Sequence, residues 1–313
     1  MTIGVISNGV NDITTVENAG ELPIVTIRNA GGTGSADNEG TAMLEIVHDL
    51  APNASLVFYG LGDTPTYESL ANGVNALDNA GCRIIVDDAF DPNEPYFSDD
   101  NDLGAAIHEF ITGATGSYSG GTWTGGTYVT AAGNGAQDLY GGTTNFVSGG
   151  YNTFQDGKSY LQISVPPGSY PIVLQWKDSW LTPQYDLALV LEDANGNELA
   201  VSNQTQGAGV PPIEEILVNN TSGTTQTYRI LVVATYPASE VPLQFKVFAA
   251  NCTITDNTTG NEVFGHSAYP GVISVAAYES DAQTAVASYS SRGPATLYSS
   301  ETQQWQTEDV PTY

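Results

Sequence analysis

Two adjacent carboxylates, Asp87 and Asp88, follow the apolar run 83–86. If that run is a strand, they stand at the carboxyl edge of a sheet, where they suit a substrate, a cation or plain solvent contact. Glu39 opens a segment in which Met43, Leu44, Val47 and Leu50 recur at helical spacing. A carboxylate in the first turn of a helix is stabilised by the helix dipole. Asn134, between Gly133 and Gly135, has turn-forming neighbours. Asn8 closes the apolar run 3–6 with an amide, which can hold a neighbour by a hydrogen bond but cannot share a proton with it. Asp91, Glu94, Asp99, Asp100 and Asp102 form an acidic loop without EF-hand-like spacing and read as a solvated face. His48 falls on the patterned helix and His266 in a strand-entry segment, so both read as structural.

Positioning such groups needs a framework, and residues 1–138 suggest one. Runs at 3–6, 24–27, 55–59, 83–86 and 128–132 read as strands. Helical patterns occupy 40–50, 67–80 and 103–112. Strand alternating with helix is the grammar of a parallel sheet covered on both faces, with ligands at the carboxyl ends of its strands. From 139 to 255 helical periodicity disappears. Strand-like runs at 160–165, 172–176, 187–192, 215–218, 228–233 and 243–248 are separated by turn signals such as Pro166-Pro167-Gly168 and Asn195-Gly196. That texture predicts a β-sandwich or jelly roll. After 256 the first texture returns, with strands expected at 272–276 and 285–289 and a polar, poorly patterned tail from 296 to 313. A β unit between two α/β pieces implies an insertion in a surface loop.

The chain carries 7 Lys+Arg against 35 Asp+Glu, a formal net charge of −28 among 313 residues. Such a surface repels nucleic acid and anionic membrane and favours cations, so Ca²⁺ is the ion it would admit, with no cofactor required. The acidity suits an extracellular protein from an acidic or saline setting, or simply a soluble acidic one. No run of about 18 apolar residues is present to span a membrane. No signal peptide precedes the first strand, so a trimmed or processed piece is expected. Cys82 and Cys252, the two cysteines, read as buried thiols, with one disulfide as the alternative.

An ordered series of motifs resembles the subtilase/sedolisin clan of serine peptidases. Ile3-Gly-Val-Ile-Ser-Asn-Gly-Val10 is similar to the first core strand, which ends in a catalytic Asp. Asp37-Asn-Glu-Gly-Thr-Ala-Met43 stands where His-Gly-Thr-His opens a helix. Leu50-Ala-Pro-Asn-Ala54, Val129-Thr-Ala-Ala-Gly-Asn134, 264–275 and Ala287-Ser-Tyr-Ser-Ser-Arg-Gly-Pro294 follow in the family's order over about 190 residues outside the β unit. The resemblance implies that Asn134 donates to an oxyanion and that Glu39 is the general base, as in sedolisins. Glu39 would then work in acid, its intrinsic pKa being about 4.3. It also marks departures. Asn8 replaces the family's Asp, and Met43 stands where sedolisins place a second carboxylate. Asn134 stands where sedolisins carry Asp, and the nucleophile motif Gly-Thr-Ser does not occur after Pro294. Ser7, Ser290 and Ser291 belong to motifs with other roles.

The segments at 174–176, 185–189 and 193–196 resemble the pre-peptidase C-terminal type of β-sandwich, in which the Asp matching Asp186 often lies near an ion; a local hydrogen-bonding role is the alternative. The expected architecture is therefore α/β. It has a subtilisin-like parallel sheet flanked by helices from 1–138 and 256–313, the latter piece incomplete, and an inserted jelly-roll-like all-β sandwich from 139–255. The expected function is serine-type endopeptidase, inactive or incomplete in this chain. The alternative is a secreted or cell-surface binding or structural protein that keeps the fold. A polypeptide substrate or protein partner is expected, with an oligomer or a second chain to cover the apolar surface left by a missing C-terminal segment.

Overall fold

Strand β1 (Thr2–Ser7) is buried from Ile3 to Ser7. It can be, because helices cover both faces of the sheet it centres. The computed structural model describes residues 1–31, 38–113, 115–118, 121–147, 150–154, 156–234, 242–255, 261–279 and 285–308. After β1 come α1 (Ile13–Ala19), β2 (Thr26–Ala30), α2 (Glu39–Leu50), β3 (Ser55–Gly60), α3 (Tyr67–Asn79), β4 (Ile84–Asp87) and α4 (Asp102–Thr112). A small ribbon, β5 (Thr115–Tyr118) with β6 (Gly121–Thr124), leads into β7 (Thr127–Ala131).

Strands β8 (Leu139–Thr143), β9 (Leu161–Val165), β10 (Gly168–Trp176), β11 (Leu187–Asp193), β12 (Glu198–Ser202), β13 (Ile213–Asn220), β14 (Gln226–Ala234), β15 (Gln244–Ala249) and β16 (Thr253–Ile254) follow. They form two antiparallel sheets, β13-β10-β15-β8 and β12-β11-β14-β9-β16. Their facing residues, among them Trp176, Phe245, Leu189 and Ile230, make one core. The chain then passes a short 3-10 turn, Gly265–Ala268, and returns through β17 (Ile273–Val275) to the first sheet. It ends in the hairpin β18 (Ala295–Ser299) and β19 (Gln304–Glu308).

The first sheet runs β17-β7-β4-β1-β3-β2, and each of its pairings is parallel. From β1 the chain builds outward on one side through β2 and β3, then crosses to β4 on the other. The strand order therefore reverses at β1, and the carboxyl ends of β1 and β4 frame the crevice where open α/β sheets bind ligands. Helices α3 and α4 pack on one face around Val74, Leu77, Leu103 and Ile107. Helix α2 packs on the other around Leu44, Phe58 and Val5.

The β-sandwich is joined tightly to the α/β unit. Tyr96, Phe97 and Phe264 interlock with Leu139, Val173 and Phe248. Gln175 of β10 donates from Nε2 to Glu94 O at 2.9 Å and accepts from Tyr96 N–H at 2.8 Å. Lys246 of β15 is completely buried, with Nζ donating to Val263 O at 2.8 Å and lying over the Phe97 and Phe264 rings. Burial pulls the Lys246 pKa down to about 7, against the pull of Glu262 in the other direction.

Three expectations are corrected. Residues 285–289 contribute an isolated bridge, Val286 to Tyr278, instead of a strand. The tail is not unpatterned: β18 buries Ala295, Leu297 and Ser299, and Tyr298 N–H donates to Phe97 O at 2.7 Å. The acidic loop is not a solvated face, since Asp91, Glu94 and Asp99 are buried. Asp91 accepts from Tyr67 N–H and Asn93 N–H, and Asp99 accepts from Ser300 N–H. Buried carboxylates need such donors, and backbone amides of neighbouring segments provide them. Cys82 and Cys252 are both buried and free. On the edge strand β17, Ile273 and Val275 stay half-exposed.

Candidate active site

The carboxyl edge of the parallel sheet opens on a cavity of about 480 Å³ lined by Glu39, Asp88 and Asn134. Each of the three comes from a different connection. Glu39 is the first residue of α2, which starts hard against β1. Gly40 N–H donates to Gly9 O at 3.2 Å, and a Cβ on Gly40 would lie 2.5 Å from the Phe58 ring and 2.7 Å from Gly9 O. Only glycine permits that approach. Gly40→Ala is expected to lower the stability of the chain by about 1–3 kcal/mol, the usual cost of overpacking, as read from the urea unfolding midpoint.

Asp88 follows β4, and its carboxyl lines the same cavity as that of Glu39. Burial first, then the charges of Glu39 and Asp87, push Asp88 up to about 7. Asn134 is exposed in the loop between β7 and β8. That loop is clamped from the Ser-Ser-Arg segment: Ser291 N–H donates to Gly133 O at 2.8 Å, and Ser291 Oγ accepts from Gly135 N–H at 2.8 Å. Gly133 takes φ +95, a left-handed conformation suited to glycine. The opposite wall is apolar and is shared with the sandwich. Phe90 stands edge-on to Phe248 at 5.2 Å and to Phe264 at 5.5 Å between ring centroids. Asp138, at the entry to β8, also lines the cavity, and burial pushes its carboxyl up to about 6.

Asn8 lies at the same sheet edge, directly after β1, but outside the cavity lining. Asp87 departs from the expectation of substrate contact. Its side chain is fully buried, because alternation along β4 turns it away from the face that Asp88 presents. Thr130 Oγ1 donates to Asp87 Oδ1 at 2.9 Å, and His266 Nε2 lies 3.1 Å from the same oxygen. On the far side of the ring, His266 Nδ1 lies 2.7 Å from Glu94 Oε1. Burial acts to discharge His266, but Glu94 and Asp87 overcome it and hold the pKa well above the usual imidazole value. The result is a buried imidazolium between two carboxylates, immediately behind Asp88. Asp186 precedes β11 in the sandwich and does not line the cavity. Among the described residues no group of three or more His, Cys, Asp or Glu is placed to hold a metal ion. Asp37, in the segment that resembles His-Gly-Thr-His, lies outside the described residues.

No family model and no curated protein matches the sequence. Among solved structures, the CspB protease of Clostridium perfringens superposes with a TM-score of 0.54 at 12% identity, covering 99% of this chain and 78% of that one. The fold is subtilisin-like. The nisin leader peptidase NisP of Lactococcus lactis overlaps over 44% of this chain and 45% of its own, with a TM-score of 0.31 and 15% identity. The subtilisin-like sheet accounts for why Glu39, Asp88 and Asn134 meet at one edge. The Asp88–Glu39 partnership and the buried Glu94–His266–Asp87 array were not legible in sequence. The one signal for Glu94 is its setting: Pro92, Pro95, Tyr96 and Phe97 surround it, a composition poorly suited to a solvated loop.

Proposed function

We propose that this chain is a peptidase-type domain, extracellular or at the cell surface, that takes a polypeptide into the cavity and hydrolyses it in acid. Glu39 is the general base and Asn134 the donor to the developing oxyanion. The observation that carries this reading is the convergence of Glu39, Asp88 and Asn134 on one cavity at the carboxyl edge of the parallel sheet. Half of that cavity is apolar, which suits an extended peptide with a bulky side chain against Phe90 and Phe248. Asn8 contributes through its backbone, accepting from Gly62 N–H at 3.0 Å, which fixes the turn beside α2.

A fluorogenic peptide library assayed from pH 3 to 8 tests the proposal. Hydrolysis is expected on the acid side and is expected to fall by at least about 100-fold in Glu39→Gln. Full activity in that variant removes Glu39 from the mechanism. A second reading, a binding protein that keeps the fold without turnover, is favoured by the cavity's serines. Ser267 Oγ donates to Ala131 O at 2.8 Å and Ser291 Oγ accepts from Gly135 N–H, so both hydroxyls are committed to backbone groups. It predicts peptide binding without cleavage, unaffected by Glu39→Gln.

A further inference from the structure

We propose that Glu39 and Asp88 work as a paired acid–base unit that activates water for direct attack on a peptide carbonyl, without an acyl-enzyme. The proposal deepens the peptidase reading and rests on it. The two carboxyls come from separate elements, the first turn of α2 and the loop after β4, and meet on the wall of the same cavity as Asn134. Two carboxyls that share one cavity wall resist being ionised together, so over part of the pH range the pair holds a single proton. A pair that shares one proton holds an acid and a base side by side, which is the requirement for activating water directly. The charge arrangement behind the pair favours the singly protonated state. Burial and the negative charges of Glu39 and Asp87 resist ionisation of Asp88. Among the described residues, the other ionisable groups lining this cavity are Asp138 and the paired Glu94 and His266.

The step balances without a co-reactant. The ionised carboxylate takes a proton from water as the water oxygen forms a bond to the carbonyl carbon. The C=O π pair moves onto the carbonyl oxygen, which accepts the proton of the neutral carboxyl while the Asn134 amide donates to it. The C–N bond of the resulting gem-diol then breaks with its electron pair on nitrogen, which takes the proton lately removed from water. A diol hydroxyl returns its proton to the other carboxylate. The products are a carboxylic acid and an amine, and the pair again holds one proton.

The experiment uses the full chain with fluorogenic peptides at pH 3–8, a fluorophosphonate that labels activated serines, hydroxylamine as a competing nucleophile, and fluorescence anisotropy of a labelled peptide. Asp88→Asn and Glu39→Gln are each expected to lose at least about 100-fold in kcat/KM while keeping peptide binding. Wild-type hydrolysis is expected to survive the fluorophosphonate and to yield no hydroxamate. Asp88→Ser, with its unfolding midpoint measured alongside, guards against a folding defect in the amide variant. Fluorophosphonate inhibition with hydroxamate formation overturns the water route and leaves the peptidase reading standing, as does full activity in Asp88→Asn. Peptide binding without any hydrolysis overturns the paired-carboxyl mechanism and leaves a binding cleft. Neither binding nor hydrolysis overturns both.

Discussion

Urea unfolding followed by circular dichroism is expected to show a protein most stable on the acid side, with its midpoint falling as pH rises from about 4.5 to 7.5. The direction follows from the buried carboxyls. Asp88 is pushed up to about 7 and Asp138 up to about 6, each chiefly by burial. Asp91, Asp99, Asp178 and Glu214 are raised as well, again with burial first among the causes. A group raised on folding contributes stability that is complete below its unfolded pKa, 3.8 for aspartate, and is lost as pH climbs through the folded value. For Asp88 and Asp138 the loss therefore falls between about pH 4 and 7, and together it is on the order of a few kcal/mol. His266, raised in the fold, gives its full contribution below 6.5 and begins to lose it as pH rises above that value, so it adds to this slope and does not reverse it. Lys246 runs the other way, but in the window from about 7 to 10.5, where the unfolded chain is charged and the buried amine is not. The net charge of −28 adds self-repulsion at neutral pH, which salt screens. The decline is thus expected to shrink in 1 M NaCl without vanishing, because burial is not screened. A midpoint that stays flat or rises between pH 4.5 and 7 contradicts the account.

Much of the framework could be read from the chain because apolar runs in a doubly covered parallel sheet are nearly continuous. Residues 3–6, 55–59 and 83–86 fall within β1, β3 and β4 or at their margins, and the three long helices start and stop within a residue or two of their patterns. What escaped was polar or short. Helix α1 is short and fully buries none of its residues; Ile13 and Val16 rest half-buried on the core, too small a pattern to mark a helix in the sequence. Strands β8 and β12, Leu-Tyr-Gly-Gly-Thr and Glu-Leu-Ala-Val-Ser, lack a run of branched or aromatic residues. At the cavity, Glu39, Asp88 and Asn134 could be singled out as residue types, and the geometry adds that they line one cavity. The pairings that matter span long separations, 172 residues between Glu94 and His266. No local pattern encodes contacts of that kind, so a buried glutamate with a distant partner reads as one more surface acid.

His266→Gln is expected to be among the most damaging single changes in the molecule. The imidazolium has side-chain exposure of 2%, and its two carboxylate partners 0% and 2%. Removing the cation leaves Asp87 and Glu94 buried with no opposing charge, and breaking a buried pair in this way costs about 3–5 kcal/mol. Gln also loses one of the two donors, and Glu94 keeps the His266 backbone N–H at 2.8 Å as a partial substitute. The deficit is expected to be largest near pH 7.5 and to narrow toward pH 4.5, where the stranded carboxyls can take up protons. The double variant Glu94→Gln/His266→Gln is expected to recover part of the lost midpoint, because it removes one stranded charge together with its partner. A cost that is independent of pH, with no recovery in the double variant, would mean that the ring's volume matters and its charge does not. The same measurement bears on the cavity, since Asp87 lies directly behind Asp88 and its charge already resists ionisation there. With the imidazolium gone that resistance grows, and Asp88 holds its proton to higher pH. Loss of the buried cation is therefore expected to move the titration of the paired carboxyls upward even though His266 does not hydrogen-bond to either of them in the array described.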